Sequence, residues 1–269
     1  MLIVCNGMIR SGSTLQYNVV CDGLSLVGVS YECLGYYDSK EIDEKRQELV
    51  KRARAADKFY VLKTHEYIPF LNDLAGVKIV YSYRDIRDVC SSAMEKFSID
   101  FEKAIIYLDD AVKVEGQIGF AKCSVISQKY EEIISDRSKF VRELLSFIGC
   151  ATDPEVLEVV LDKNSLESGV AKMNRLSLIE ITRDKLYFAL VNSGAGKFLR
   201  MLGVSEFFVR RWKKKLEPGG GRRSGLLHSG HISKAMGKAG RFAASLSDDE
   251  IVFLNARYRR WLFEHGYLG

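Results

Sequence analysis

The sequence predicts an α/β fold of three layers, in which a central parallel sheet is flanked by helices. Short apolar segments alternate with amphipathic segments over residues 1–150, and this alternation is typical of strands joined by crossover helices. The chain has 269 residues, of which 47% are hydrophobic and three are proline. This content is sufficient for one sizeable core, so we expect a single domain over residues 1–269.

The first predicted strand is LIVCNG, and a glycine-containing loop joins it to a helix over STLQYNVVCDGL. A charged helix with a serine cap near its start is expected over SKEIDEKRQELVKRARAAD. The later strands are KFYVLKTHEY, VKIVYSYRD and CSVISQKYEEI. The helices that follow them are RDVCSSAMEKF, FEKAIIYLDDAVKVEGQIGFAK and SKFVRELLSFIG, the last of which ends at Gly149.

The pattern is weaker beyond Asp153. ATDPEVLEVVLDKNSLE predicts a helix, whereas residues 172–230 are harder to interpret and are assigned to an insertion within the domain. The chain ends in LSDDEIVFLNARYRRWLFEHGY, which predicts one amphipathic helix. Ser247 is its expected cap, and Glu250 completes a capping box.

Charge and cysteine usage narrow the classes of partner. Residues 197–241 hold 12 Lys or Arg and two acids, a net charge of +10, against +5 for the whole chain. Such a field attracts nucleic acid, an anionic membrane or a small polyanion, but we favour a solvated basic face and expect no nucleic-acid partner. The six cysteines are scattered without a C-x-x-C pair, which favours a reduced, cytoplasmic setting over a disulfide framework or a metal site.

Two further features concern membranes and metals. The N-terminal apolar run MLIVCNG is too short for a signal peptide or a membrane span, and no other segment reaches that length. His228 and His231 flank a glycine, but no third metal ligand is evident, so no metal is expected.

The loop NGMIRSGSTLQ has the glycine spacing of the phosphate-binding P-loop, G-x-x-x-x-G-K-[ST]. Gly7, Gly12 and Thr14 match this motif, whereas Ser13 replaces its lysine. Arg10 supplies a positive charge three positions earlier. Backbone amides and the start of the helix would still surround an oxyanion, which predicts a ligand other than an ATP phosphate bridged by Mg²⁺. An ordinary strand-to-helix turn with a serine cap is the alternative.

Polar clusters follow each of the four predicted strands. They are the loop at 6–14, Lys63-Thr64-His65, Arg84-Asp85 and Tyr130-Glu131. In an open parallel sheet, ligands bind along the edge formed by the carboxyl ends of the strands. The sequence therefore predicts one site at this edge, within a P-loop fold.

These motifs resemble those of the sulfotransferases that use PAPS, 3′-phosphoadenosine-5′-phosphosulfate. MIRSGSTL resembles their 5′-phosphosulfate loop, and RDIRDVCSS resembles their 3′-phosphate motif, in which an Arg precedes a Ser by eight positions, here Arg84 and Ser92. LKTHEY resembles the K-T-H of cytosolic members, and QKYEEI resembles a segment whose Tyr lies near the adenine. GKAGRF with LSDDE is similar to the C-terminal G-x-x-G-x-W element that closes over the 3′-phosphate.

The resemblance implies in-line transfer of a sulfuryl group from PAPS to an acceptor hydroxyl, without a metal. It implies that His65 is the base and that Lys63 contacts the transferring group. Arg10 and Lys63 would stabilise the charge that develops there. The residues implied to bind the cofactor are Arg10, Ser11, Gly12, Ser13, Thr14, Leu15, Arg84, Ser92, Tyr130, Lys234, Gly237, Lys238 and Gly240.

The chain departs from the family pattern at three positions. Leu15 replaces an aromatic residue that would stack on the cofactor, and Phe242 replaces the C-terminal Trp. The usual Arg of the C-terminal element falls at Ala235, and Lys234 or Lys238 could supply its charge. The substitutions at Phe242 and Ala235 affect the C-terminal element, which covers the 3′ end of the cofactor in the family.

The acceptor is expected to be a carbohydrate or a small molecule such as a phenol or natural product. Residues 30–45 and 165–230 would shape its pocket, with the insertion at 172–230 as a cap and with contacts from His65 and His228. Glu32, in a segment that we expect to follow a strand, is the alternative base or an acceptor-orienting residue. Other functions left open are a P-loop kinase that uses Asp85 for Mg²⁺, a non-catalytic nucleotide- or glycan-binding module, and a basic nucleic-acid protein.

Overall fold

The computed structural model describes residues 1–150, 153–174 and 237–268. The chain divides into two compact units, which are Met1–Asn164 with Gly237–Gly269 and Ser165–Met236. The second unit contains one described helix, Leu166–Asn174. The acceptor-cap role predicted for residues 172–230 lies almost entirely outside the described residues and stays a prediction.

Five parallel strands form the sheet of the first unit. They are β1 (Leu2–Gly7), β2 (Tyr31–Tyr36), β3 (Phe59–Lys63), β4 (Val77–Tyr83) and β5 (Ser124–Lys129). Their order is β2-β3-β1-β4-β5, so β1 lies between β3 and β4. Cys5 of β1 pairs in register with Lys63 of β3, and Gly7 pairs with Ser82 of β4. The carboxyl ends of the three central strands therefore meet at one edge.

Helices cover the sheet and complete the predicted three layers. Those of the first unit are α1 (Ser13–Leu26), α2 (Ser39–Glu44), α3 (Arg46–Arg54), α4 (Ile86–Phe97), α5 (Phe101–Ile118), α6 (Tyr130–Ser135), α7 (Arg137–Ile148), α8 (Pro154–Lys163), α10 (Phe242–Ser245), α11 (Asp248–Arg257) and α12 (Arg259–Glu264), and the helix of the second unit is α9 (Leu166–Asn174). One short 3-10 turn covers Pro69–Leu71. In the first unit α1, α7 and α8 pack on one another, whereas α4 packs on α5, α10 and α11.

The core lies on both faces of the sheet. Leu2 and Val4 of β1 belong to the large apolar cluster that includes residues of α4 and α5. Ile3 and Cys5, which point to the opposite face because side chains alternate along a strand, are equally buried. A strand buried on both faces reads as a continuous apolar run, and this is why LIVCNG is recognisable in the sequence.

Three local predictions were wrong. The strand β2 was not predicted, because it lies at the sheet edge, has no buried residue and carries a register shift between Cys33 and Gly35. The charged helix is two helices, α2 and α3, and its cap is Asp38 rather than a serine. The C-terminal helix is also divided at Tyr258, although its Ser247–Glu250 capping box is present as predicted.

The expectation that all six cysteines are reduced is wrong for one pair. Cys21 of α1 and Cys33 of β2 form a disulfide, with their Cα atoms 6.6 Å apart. Their spacing gave no signal, because the contact arises only when α1 packs beside β2. The other four cysteines are free. Within the part of the chain that the structure describes, no helix is both long enough and apolar enough to cross a bilayer.

Candidate active site

The loop between β1 and α1 has a conformation suited to an anion. Gly12 is the last residue before α1 and has φ 95°, a left-handed conformation that glycine adopts without a steric penalty. Gly12, in the cap position, has no side chain that could bond to the first turn of α1. The amides at the start of a helix lack intrahelical acceptors, and the helix dipole is positive there. The start of α1, at Ser13 and Thr14, is therefore directed at an oxyanion site as the P-loop spacing predicts.

Ser11 holds this loop in place through hydrogen bonds within the protein. Its hydroxyl is fully buried and lies 2.6 Å from the carbonyl oxygen of Met8 and 2.8 Å from Oγ of Ser82. Its amide donates to the same Met8 carbonyl. Both donors of Ser11 are thus used within the protein, although the sequence placed Ser11 among the cofactor-binding residues. Leu15 follows in the first turn of α1 and is partly buried.

Lys63 and His65 lie beside the loop, at the end of β3. Nζ of Lys63 is 3.1 Å from Nε2 of His65, and Nδ1 of His65 is 2.7 Å from the carbonyl oxygen of Gly7. Because a carbonyl only accepts, we assign the proton to Nδ1, which leaves a lone pair on Nε2 that Lys63 contacts. The imidazole is therefore oriented by the loop itself.

Burial sets the charge states of this pair. Burial lowers the pKa of Lys63 to about 8, so the ammonium is still charged at neutral pH. Burial and the positive charge of Lys63 lower the pKa of His65 to about 3, against a smaller upward effect of the Gly7 carbonyl. His65 is consequently neutral at physiological pH, which is the form that can accept a proton.

Of the residues of β2, Tyr36 lies beside this pair, whereas Glu32, the alternative base, does not. Tyr36 ends β2 with its ring centroid 5.8 Å from that of His65, and it is 37% exposed. Glu32 lies four residues earlier in the strand, about 13 Å away at the rise of an extended chain. It binds Lys58 and Arg52 there, and the bond from Lys58 lowers its pKa. The placement of Glu32 after a strand is wrong, and its position argues against a role as base.

Arg84, at the end of β4, lies on the other side of the loop. Its side chain is buried, with Nη2 3.0 Å from Oδ2 of Asp88 and Nη1 3.4 Å from the carbonyl oxygen of Arg10. Nε of Arg10 donates in turn to Oγ of Ser92, at 2.9 Å. Arg84 and Ser92, which the sequence pairs across eight positions, are therefore joined through Arg10.

Tyr130 connects these parts. The guanidinium of Arg84 lies over its ring at 4.4 Å from the centroid, and a Cβ on Gly12 would come within 3.1 Å of the same ring. Its hydroxyl donates to the carbonyl oxygen of Gly237 at 2.9 Å. Tyr130 thus contacts the loop between β1 and α1, the buried Arg84 and the C-terminal segment at Gly237.

The segment 237–242 packs against α4 next to Arg84. Nη2 of Arg84 donates to the carbonyl oxygen of Lys238 at 2.8 Å. The carboxylate of Asp88 accepts from the amides of Gly240 and Phe242 at 2.8 and 2.9 Å. The Lys238 side chain is exposed, so its carbonyl and not its ammonium contributes here. Lys234 and His228 lie outside the described residues, and their predicted roles stay predictions.

Sequence reasoning missed Asp88 and Arg241. Asp88 is fully buried and forms an ion pair with Arg84, four positions earlier. Arg241 forms an ion pair with Glu95 of α4, with Nη2 2.6 Å from Oε2. The only signal for Arg241 was its place within GKAGRF, between the second glycine and the aromatic residue.

Asp85 and Glu131 are turned away from these groups. Both carboxylate oxygens of Asp85 accept from Arg87, at 2.7 to 3.0 Å. Glu131 accepts from the amide of Asp85 and from the hydroxyl of Tyr267, which fixes the end of the chain. In the Arg84-Asp85 and Tyr130-Glu131 clusters, the first residue therefore lies in the site and the second stabilises the surrounding structure.

The arrangement fits a ligand with two separate anionic groups. One anion would lie at the start of α1 near Lys63, and another beside Arg84, whose Nε is buried and without a partner among the described residues. Buried donors normally have acceptors, and this orphaned group is explained if a ligand supplies one. A cavity of about 740 Å³, lined by Glu115, Trp261 and His265 among others, lies elsewhere, between α5 and α12.

Comparison with known proteins identifies the fold. No protein-family model matches the chain, and no curated protein matches its sequence. Solved structures do match, each over 97% of this chain. Retinol dehydratase with androsterone and the inactive cofactor PAP has a TM-score of 0.52 and 16% identity over 80% of its chain. Mouse sulfotransferase SULT7A1 complexed with PAP has a TM-score of 0.57 and 11% identity over 84% of its chain.

A second structure of retinol dehydratase, with retinol and PAP, gives a TM-score of 0.53 at 15% identity over 81% of that chain. Identities this low carry the fold and no more. The chain therefore has the sulfotransferase fold, an α/β fold with a five-stranded parallel sheet, as the motifs predict.

Proposed function

We propose that this protein is a PAPS-dependent sulfotransferase that acts on a hydroxyl group of a small molecule or a carbohydrate. The observation that carries the proposal is the Lys63–His65 pair beside an uncapped helix start, at the same sheet edge as Arg84. The fold of PAP-bound structures supports the same cofactor. Bound PAPS would supply the sulfuryl group and a phosphate leaving group.

The chain offers separate places for the two ends of such a cofactor. The start of α1, with Arg10, would hold the 5′ phosphosulfate, because backbone amides and a guanidinium both suit oxyanions. Arg84 and Ser92 would hold the 3′-phosphate at the beginning of α4. Tyr130, which lies between the two, would contact the nucleoside. No metal ligand is needed in this scheme, because cationic side chains supply the positive charge.

His65 is the proposed base. Nε2 would accept the proton of the acceptor hydroxyl, while Nδ1–H stays bonded to the Gly7 carbonyl and keeps the ring oriented. Lys63 occupies Nε2 in this structure and would turn to the anionic groups once they are bound. Loss of that positive contact and gain of nearby negative charge both raise the pKa of His65 toward a useful value.

The acceptor would lie over Tyr36. This ring is partly exposed, sits beside His65 and has Nζ of Lys63 5.0 Å from its centroid. An aromatic surface next to the base suits a phenol, another apolar ring or the face of a sugar. The structural matches were solved with androsterone and with retinol, which are hydroxyl-bearing small molecules.

A P-loop kinase is the weaker candidate. Ser13 stands in the place of the lysine that such enzymes use for the β- and γ-phosphates. Asp85, the candidate Mg²⁺ ligand, has both oxygens bonded to Arg87. A non-catalytic binding module would have no use for a neutral histidine that the loop carbonyl orients.

Calorimetry of PAP binding, with ATP and Mg²⁺ as the comparison, tests the cofactor. PAP is expected to bind, and Arg84→Ala to weaken binding by about 2 kcal/mol, the scale of one hydrogen bond to a charged group. Arg260→Ala is a matched control, because this arginine is exposed on α12. Tight ATP–Mg²⁺ binding with no affinity for PAP would contradict the proposal and favour the kinase.

Turnover tests the base. PAP release from PAPS is followed with a panel of sugars, phenols and aliphatic alcohols. His65→Ala is expected to lower kcat by about 100-fold or more, the usual effect of losing a general base, and to leave PAP affinity unchanged. Near-normal turnover in this variant would remove His65 from the role.

A further inference from the structure

The guanidinium of Arg241 has more N–H donors than its ion pair with Glu95 engages. Its side chain is 15% exposed, and Nη2 binds Oε2 of Glu95 at 2.6 Å. Nε and Nη1 are buried and have no hydrogen-bond partner among the described residues. A guanidinium carries five N–H groups, and buried donors left without acceptors are costly. The ion pair with Glu95 therefore does not by itself account for the position of this side chain.

Arg241 belongs to a row of arginines along one face of α4. Positions 88, 92 and 95 lie on successive turns of this helix, so their side chains share a face. Each of the three lies beside a different guanidinium, Asp88 and Ser92 as hydrogen-bond acceptors and Glu95 as an ion-pair partner. The pairs are Arg84 with Asp88 at 3.0 Å, Arg10 with Ser92 at 2.9 Å and Arg241 with Glu95 at 2.6 Å.

Arg10 is close enough to Arg84 and to Arg241 for their positive charges to act on it. Burial first, and then the charges of Arg84 and Arg241, lower the pKa of Arg10, against upward effects of Tyr130 and Glu95. Nε of Arg84 is buried and without a described partner, as are two nitrogens of Arg241. Like charges held together with unused donors are the arrangement expected around an anion, because a phosphate both accepts the bonds and offsets the charge.

We propose that Arg241 joins Arg84 as a second arginine of the 3′-phosphate site, and that it makes the protein selective for nucleotides with a 3′-phosphate. The inference rests on the proposed function and deepens it. It also explains how the chain manages with Ala235 where an arginine was expected: the charge comes from six positions later, on the side chain that α4 holds through Glu95.

A purely structural role makes a different prediction. If Arg241 only ties the segment 237–242 to α4, its loss would loosen that segment and affect every nucleotide alike. A phosphate ligand would instead be missed only by nucleotides that carry the group. Adenosine 5′-phosphate lacks the 3′-phosphate and is otherwise the same as PAP, so comparison of the two isolates the contact.

The test measures the affinities of PAP and adenosine 5′-phosphate by calorimetry for the wild type, Arg241→Gln and Arg241→Lys. Arg241→Gln is expected to weaken PAP about tenfold or more, a change of about 1.4 kcal/mol, and to alter adenosine 5′-phosphate by less than about threefold. Arg241→Lys keeps the charge without the fork of donors and should fall between the wild type and Arg241→Gln. Arg260→Gln, on the exposed face of α12, should change neither.

Retained binding of adenosine 5′-phosphate shows that each variant is folded. Equal weakening of both nucleotides by Arg241→Gln, or no weakening of either, would overturn the inference while leaving the sulfotransferase proposal intact. A wild-type protein that binds PAP no more tightly than adenosine 5′-phosphate would overturn the proposed function and the inference together.

Discussion

Asp88 is the residue that attaches the C-terminal segment to the site, and Asp88→Asn tests this attachment. The carboxylate is fully buried and accepts three bonds, from Nη2 of Arg84 and from the amides of Gly240 and Phe242. The substitution keeps the shape of the side chain. It removes the negative charge and turns one acceptor oxygen into an N–H₂ donor that faces other donors.

The cost follows from these three bonds. A hydrogen bond to a charged group contributes about 1.5–3 kcal/mol, and removal of one partner of a buried ion pair costs about 3–5 kcal/mol. One acceptor oxygen survives in the amide and retains part of the bonding. We therefore expect Asp88→Asn to lower the free energy of unfolding by about 3 kcal/mol. The amides of Gly240 and Phe242 should also lose protection from hydrogen exchange.

Urea unfolding and native-state hydrogen exchange measure both effects. Asp109→Asn is the matched control, because Asp109 also binds an arginine and a hydroxyl but is 43% exposed. An exposed pair of this kind contributes less than about 1 kcal/mol. A loss for Asp88→Asn no larger than that of the control, with both amides still protected, would refute the argument that this carboxylate holds the segment.

Three further predictions concern charge, backbone and thiols. The kcat/KM for PAPS, which reports the enzyme before the cofactor binds, should fall above about pH 8 as Lys63 loses its proton, because its lowered pKa puts the charged form below that pH. No acid limb near pH 6.5 is expected from His65, which is already neutral, and a stopped assay from pH 5 to 9.5 that finds one would contradict this. Gly237→Ala should weaken PAP binding about tenfold more than Gly240→Ala, as measured by calorimetry. Both glycines have positive φ, but only a Cβ at position 237 would clash with Tyr130, at 2.6 Å from its hydroxyl oxygen. Thiol titration of the denatured, unreduced protein should find four free thiols, and six would disprove the disulfide.

The sequence predicted the sheet wherever burial leaves a local pattern. β1, β3 and β4 are apolar runs that end in polar residues, and the loop after β1 has a recognisable glycine spacing. Their carboxyl ends could be assigned to one edge because parallel strands share that edge whatever their order. β2 was not predicted because it has no buried face. A strand is recognised in a sequence by the alternation of apolar and polar residues, and this alternation arises from burial of one face.

Site residues at strand ends were likewise accessible from the sequence, whereas their contacts were not. Lys63, His65 and Arg84 were singled out because they directly follow strands. Hydrogen bonds between separate strands orient His65 through the Gly7 carbonyl and engage the hydroxyl of Ser11. No spacing within one segment contains that information.

Local periodicity and turn chemistry are sufficient to predict the succession of strands and helices, the loop between β1 and α1, and the residues that follow each strand. The packing of the whole chain selects the distant residues that join them. It placed Glu32 beside Lys58 at the other end of β2, and it returned the chain so that Arg241 and two backbone amides reach α4. The contacts of α4 with Arg241 and with the two amides span more than 140 positions along the chain, and they form because buried charges such as Asp88 must find donors wherever the packed chain brings them.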